Sequence, residues 1–312
     1  MSATTSGFDP QRLAALRSAV ETGTFEAAAR ELRVTPSAIS QRIKALENET
    51  GRVLLQRSKP VAPTESGEVL LRLARQLDAL GREASSILGR VGAGSGSGAV
   101  ADHARPALER LPIAVNADSL ATWLLPAIAP LADEIAFELH RADETQTTEL
   151  LRRGTVTAAI TADPAPVQGC TSVLLGAIRY VPMASPGFAA RWFEVPGETL
   201  TDALQHAPVV VFDRADTLQD RYLQAVGVDP GSPPCHYVPS SADFVAAIRL
   251  GFGWGLVPEP QLDDEPSLVR IDPRGWVDVP LFWQQWQLHT QALARTAATV
   301  SDAARLALRA SV

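Results

Sequence analysis

The chain has 312 residues, enough for two or three domains, and 46% of them are hydrophobic, enough for an ordinary folded core. No apolar run approaches the roughly 20 residues that cross a bilayer, the polar stretch Met1–Gly7 lacks a signal-peptide pattern, and Cys170 and Cys235 stand in no metal-ligand spacing; this predicts a cytoplasmic protein without a disulfide framework, a metal site or a cofactor. The net charge of −7 opposes nucleic acid at first sight, but residues 1–90 hold 13 Lys/Arg against 10 Asp/Glu and the rest 15 against 25, so a mildly basic head sits on an acidic body, which suits DNA contact through the head alone.

Gln11–Val20 is predicted as a first helix, with Leu13, Leu16 and Val20 apolar and Asp9-Pro10 at its start. Two short helices follow with a tight connection. Phe25, Ala28, Ala29 and Leu32 share a face of the first, and Ile39, Ile43 and Leu46 a face of the second. Thr35 is placed to cap the second helix, with Pro36 in its first turn, where a missing N–H costs nothing. Its other face carries Ser37, Ser40, Gln41, Arg42 and Lys44, donors and cations with no carboxylate before Glu47. A helix in a DNA major groove needs that chemistry to touch phosphates and base edges. Gly51 ends the helix. Val53–Arg57 reads as a short strand and Ser58-Lys59-Pro60 as a turn, a wing that offers Arg57 and Lys59 to phosphates. An ordinary solvated helical hairpin is the alternative for these residues.

Thr64 caps a long helix from Glu65 to about Arg90, with Leu70, Leu73, Leu77, Leu80, Ala84 and Ile87 at heptad spacing. The stripe predicts a dimerisation seam, the alternative being packing on its own domain. Gly92–Gly98 is a flexible linker by composition. Beyond it strands alternate with helices: strands at Pro112–Asn116, Ile135–Leu139, Val156–Thr161, Arg179–Ala184, Val209–Phe212, His236–Val238, Gly255–Val257 and Leu281–Trp286, and helices at Ser119–Leu131, Thr145–Arg153, Leu218–Val226, Ala242–Leu250 and Ala294–Ala310. That order predicts an α/β body with mostly parallel sheets and two lobes around a cleft. Ligands in such sheets sit beyond the carboxyl ends of strands, at helix starts.

Phe25–Ala29, Thr35–Glu47 and Pro63–Gly67 together resemble the LysR-type transcriptional regulators, over residues 8 to 90. The body resembles one branch of that family, the lysine and arginine export regulators (LysG/ArgP), at Ala114–Ser119, Ala121-Thr122-Trp123, Leu150–Gly154, Leu218-Gln219-Asp220, Gly251–Gly255 and Val279–Gln284. The resemblance implies a winged helix-turn-helix at residues 8–63, a dimerisation helix at 64–91, a linker at 92–106 and a two-lobed, periplasmic-binding-protein-like effector domain at 107–312. The first lobe is expected at about 107–181 and 273–312, the second at about 182–272. It also implies a homodimer or homotetramer on operator DNA that activates an exporter gene, with RNA polymerase as a further partner, when lysine or arginine binds. The chain departs from the family at Ala142-Asp143, Ala162-Asp163-Pro164 and Ser240-Ser241-Ala242-Asp243, each near the expected cleft.

An amino acid presents a carboxylate and an ammonium, and lysine or arginine adds a distal cation. Ser119, at a helix start, suits the carboxylate, and Thr161, Ser240 and Ser241 follow strands into the same cleft. Asp118, Asp143, Glu144 and Asp163 are the carboxylates near strand ends. Three of them have a plainer reading: Asp118 as a helix cap, Glu144 as a partner of the helix dipole, Asp163 as a loop residue. Trp123 and Trp254 read best as core. Other functions fit less well. A redox sensor working through Cys170 and Cys235 lacks a cationic cluster to activate a thiol, an enzyme would need a Gly-x-Ser-x-Gly, phosphate-loop or metal-triad motif, and a purely architectural DNA protein needs no cleft.

Overall fold

A computed structural model describes residues 7–56, 58–93, 108–142, 144–262, 267–288 and 290–310. The head is built from α1 (Pro10–Thr22), α2 (Phe25–Glu31) and α3 (Pro36–Thr50). Asp9 caps α1 by accepting from the Gln11 N–H at 2.8 Å, Thr24 caps α2 through the Ala27 N–H at 3.1 Å, and Thr35 caps α3 through the Ala38 N–H at 3.2 Å. Gly23 and Gly51 close α1 and α3 in the left-handed region, with φ of 75° and 64°. Leu13, Leu16, Ala28, Ile39, Ile43 and Leu46 form one buried core under these helices.

The wing is shorter than its sequence predicts. β1 (Leu55–Gln56) pairs antiparallel with β2 (Ala62–Pro63), Leu55 opposite Pro63. Arg57 lies outside the described residues.

The long helix α4 spans Glu65–Ala93, past the expected Arg90. Its apolar stripe divides in two. Leu70 and Leu73 pack into the head's own core, while Leu77, Leu80 and Ile87 are 42%, 39% and 46% exposed. The reason is geometric: a helix of 29 residues outruns a three-helix head, so only its first turns have a partner in the same domain. Most of the expected linker, from residue 94, lies outside the described residues.

The body contains β3 (Glu109–Val115), α5 (Ala117–Ser119), a π-helical turn at Leu120–Leu124, α6 (Leu125–Ile128), β4 (Ile135–Arg141), α7 (Glu144–Arg153), β5 (Ala158–Thr161) and β6 (Cys170–Ala184). α8 (Pro186–Trp192), α9 (Leu200–His206), β7 (Val209–Val211), α10 (Leu218–Ala225), β8 (Cys235–Tyr237), α11 (Ser241–Arg249), β9 (Gly255–Pro258), β10 (Val269–Arg270), β11 (Val277–Trp286) and α12 (Gln291–Ala307) follow. The main sheet has seven strands in the order β10-β6-β11-β5-β3-β4, with β9 also on β6.

The expectation of mostly parallel sheets needs correcting. β3 is parallel to β4 and β5, but β11 runs antiparallel to β5 and β6, and β9 and β10 run antiparallel to β6. The cause is β6, 15 residues long, which carries the chain from one lobe to the other. Its first part pairs with the returning strand β11 and its last part with β9 and β10. A strand that leads out and another that leads back must oppose each other in direction. Only Arg179–Ala184 of β6 was legible, since Gly176, at φ 142°, interrupts the apolar pattern. That glycine is required: a Cβ there would lie 2.8 Å from the Arg309 carbonyl oxygen, where the C-terminal segment docks on Ala177.

One buried cluster runs from Ile113 and Ile160 through Trp123 to Trp254 and Trp283, and a separate one, with Met183, Val210, Phe244 and Val257, fills the second lobe. Both Trp123 and Trp254 are therefore core. Among the described residues no helix is long and apolar enough to cross a membrane.

Candidate effector cleft and nucleic-acid interface

Burial of Ile39, Ile43 and Leu46 in the head core turns the opposite face of α3 outward. Thr35, Ser37, Ser40, Gln41 and Lys44 are all exposed, and so is Lys59 at the wing. Thr35 and Ser37 share a hydroxyl–hydroxyl hydrogen bond of 2.9 Å, so both hydroxyls sit at the start of the helix. Arg42 differs from its neighbours. It is half-buried, and its guanidinium donates to the Gln11 side-chain oxygen at 2.9 Å, tying α3 to α1. A contact from Arg42 to DNA therefore competes with a bond inside the head.

In the body, a cavity of about 520 Å³ opens beyond the ends of β3, β4 and β5 on one side and β7 on the other. Asp118, Thr161 and Ser241 line it, as sequence reasoning expects. The plainer reading of Asp118 as a cap does not apply. Asn116 caps the helix start, accepting from the Ser119 N–H at 2.9 Å. Asp118 is left to accept from the Tyr180 hydroxyl and the Ser241 hydroxyl, each at 2.7 Å. Gln261 extends the chain by donating to Ser241 at 2.9 Å.

The remaining expected residues take other places. Ser119 is fully buried behind the cavity wall, its amide donates to Asn116, and its hydroxyl has no partner among the described residues. Ser240 takes the cap position of α11 in extended backbone, away from the wall. Asp163 accepts from the Ala165 N–H at 2.9 Å in a local turn, which is the loop role. Asp143 lies outside the described residues, and Glu144 opens α7. Two residues further into α7, Gln146 and the buried Thr147 reach the cavity.

Sequence reasoning missed the opposite wall. Asp213 and Asp216 follow β7 and line the cavity, as does Arg141 at the end of β4. Asp216 accepts from the Leu218 N–H at 2.9 Å and the Phe212 N–H at 3.3 Å. Burial pushes its carboxyl above the usual range, against the pull of those two amides, and the nearby Asp118 and Asp213 charges push the same way. The signal was available: the rule that places sites beyond strand ends applies to Val209–Phe212 as much as to the first lobe.

The cysteines are poor switches. Cys170 is buried, and desolvation pushes its thiol up to about 11. Cys235 is exposed, but local desolvation and the Asp220 charge push its thiol up as well. A sensor cysteine needs the opposite shift.

Comparison with known proteins agrees with this architecture. Residues 10–68 match the bacterial regulatory helix-turn-helix protein model of the lysR family, and residues 104–310 match the LysR substrate binding domain. The lysine export transcriptional regulatory protein LysG of Corynebacterium efficiens is 39% identical over 309 residues, covering 96% of this chain and 99% of that protein. The crystal structure of ArgP from Mycobacterium tuberculosis superposes with a TM-score of 0.85 at 38% identity, covering 98% of this chain and 100% of that one. Full-length LysG from Corynebacterium glutamicum with bound effector Arg gives a TM-score of 0.76 at 37% identity, covering 96% and 99%. A helix-turn-helix head followed by a substrate-binding domain is thus shared along nearly the whole length, and the chain belongs to the LysR family of DNA-binding transcriptional regulators, which are not enzymes.

Proposed function

We propose that this regulator binds operator DNA as a homo-oligomer and activates an amino-acid exporter gene when lysine or arginine occupies the cleft. The observation that carries the reading is the charge inventory of one cavity. Asp118, Asp213 and Asp216 line it without a cationic partner, and Arg141 and Arg221 line it without an anionic one among the described residues. A basic amino acid supplies what both lack, two cations and one carboxylate. The relatives named for lysine export, and the one with bound Arg, support the same ligand class.

In this reading residues 8–63 read the DNA and 64–91 join the protomers. Residues 107–312 form the effector domain beyond the linker at 92–106. Thr35, Ser37, Ser40, Gln41, Arg42 and Lys44 meet the groove, and Arg57 and Lys59 meet flanking phosphates. Asp118, Thr161 and Ser241 meet the effector, and Asp143, Glu144, Ser119 and Ser240 are the further candidate contacts. The protein acts in the cytoplasm, where its operator lies, and activation brings RNA polymerase as a partner.

A thermal-shift series of the full chain against the common amino acids tests the ligand. An effector that binds only the folded state stabilises it by mass action, so lysine or arginine should raise the melting temperature in proportion to log concentration. A shift from a neutral or acidic metabolite, with neither basic amino acid active, overturns the reading.

A further inference from the structure

The carboxylates expected to hold the effector's side chain belong to the first lobe, yet among the described residues further acceptors line the cavity from the second. We infer that Asp213 and Asp216, on the segment joining β7 to α10, and Gln219, in the first turn of α10, accept the distal cation of the effector and so set the preference for a basic side chain. This rests on the reading of the cavity as an amino-acid site and adds which wall reads which end of the ligand.

Three observations carry it. Asp118, the first-lobe carboxylate at the wall, already accepts from two hydroxyls, Tyr180 and Ser241, each at 2.7 Å. That cross-lobe position suits the α-ammonium, which every amino acid has. Across the cavity, Asp213 and Asp216 have only backbone amides as donors among the described residues. Ala215 and Asp216 donate to one oxygen of Asp213 at 2.8 and 3.0 Å, and Leu218 and Phe212 donate to Asp216. Arg221 lines the same cavity but pairs with neither. Each carboxylate therefore keeps acceptor capacity and an uncompensated charge.

The third observation is independent of the charges. Gln219 lines the cavity, is only 2% exposed, and has a buried side-chain oxygen with no hydrogen-bond partner among the described residues. A buried acceptor without a donor is costly unless something supplies one. Guanidinium offers five N–H donors and ammonium three, enough to serve two carboxylates and an amide oxygen together. Asp216 is also partly desolvated, so a cation beside it regains what burial took from the charged form.

The test is calorimetric titration of the full-length protein and its variants with L-arginine, L-lysine and L-norleucine, which keeps the length of lysine but not its charge. Asp216→Asn and Asp213→Asn should each weaken arginine and lysine roughly ten- to hundredfold, the range for a hydrogen bond to a charged group, and leave norleucine within about threefold. Gln219→Leu should weaken arginine and spare norleucine, and it keeps the question open to refutation should an Asp variant fail to fold. Equal losses for all three ligands would mean that the two carboxylates only hold the turn, and would overturn the inference. So would an Asp143→Asn variant that alone erased the preference for lysine over norleucine. If the unaltered protein binds neither basic amino acid, the proposed ligand class fails first, before any variant is made.

Discussion

The carboxylate of Asp118, just after β3, accepts a 2.7 Å hydrogen bond from the hydroxyl of Ser241 at the start of α11, 123 positions away. Those two elements belong to opposite lobes, so a single polar contact spans the cleft at the point where the ligand's α-ammonium is expected. Asp118→Asn keeps the size and removes the charge. It should weaken arginine, lysine and norleucine alike, by about tenfold or more. Ser241→Ala leaves the carboxylate in place and should cost less. Titration with all three ligands checks this, and an unchanged norleucine affinity in Asp118→Asn would move the ammonium elsewhere.

Lys44 and Gln41 stand side by side on the exposed face of α3 and should separate by their physics. Lys44→Ala should weaken binding to all sequences and lower the slope of log affinity against log salt by about one. Gln41→Ala should relax base preference, costing about 1–3 kcal/mol at one base pair. Fluorescence anisotropy on operator and scrambled duplexes at several salt concentrations reads both. Intact operator binding after alanine at Ser40, Gln41 and Arg42 together would reject α3 as the recognition helix.

The divided stripe of α4 changes which leucines matter for assembly. Leu77 and Leu80 are exposed in the protomer, so replacing both with Asp should leave the head folded and release monomers with reduced operator affinity. Leu73 packs against the head core, so Leu73→Asp should instead lower the head's own melting temperature. Sedimentation velocity and thermal melts distinguish the two. An unchanged oligomer in the Leu77/Leu80 variant would place the assembly contacts on the body.

Arg179 holds Asp278 through two hydrogen bonds, of 2.8 and 2.7 Å, between β6 and β11. The guanidinium keeps the Asp278 carboxyl below its ordinary 3.8. A depressed carboxyl contributes stability above its unfolded value, and that contribution is lost as pH falls through the lower folded value. Arg179→Met should lower the melting temperature at neutral pH and flatten the acid-side decline between about pH 5 and pH 2. Both groups are partly exposed, so the effect should be modest and should shrink in high salt. An acid decline of unchanged steepness would remove this pair from the account.

Local chemistry made the head legible. Asp9, Thr35, Pro36 and Gly51 act on their own helix ends within a few residues, so their meaning does not depend on the rest of the chain. The stepped apolar face of α3 likewise fixed which residues remain outside. In the body, much of the helix and strand order was readable for the same reason, though the short elements α8, α9 and β10 were not, and Asp118, Thr161 and Ser241 were singled out by the rule of strand ends. Tertiary structure alone decided the rest. That β6 would run through both lobes depends on a return strand about a hundred positions later, which no local window contains. The split of the α4 stripe depends on where the head ends in space. The pairing of Asp118 with Ser241, the bond from Arg42 to Gln11, and the cavity shared by Asp118, Asp213 and Asp216 each join residues whose separation along the chain carries no periodic signal. Periodicity and capping act over a turn or two, whereas a cleft exists only once two lobes have packed.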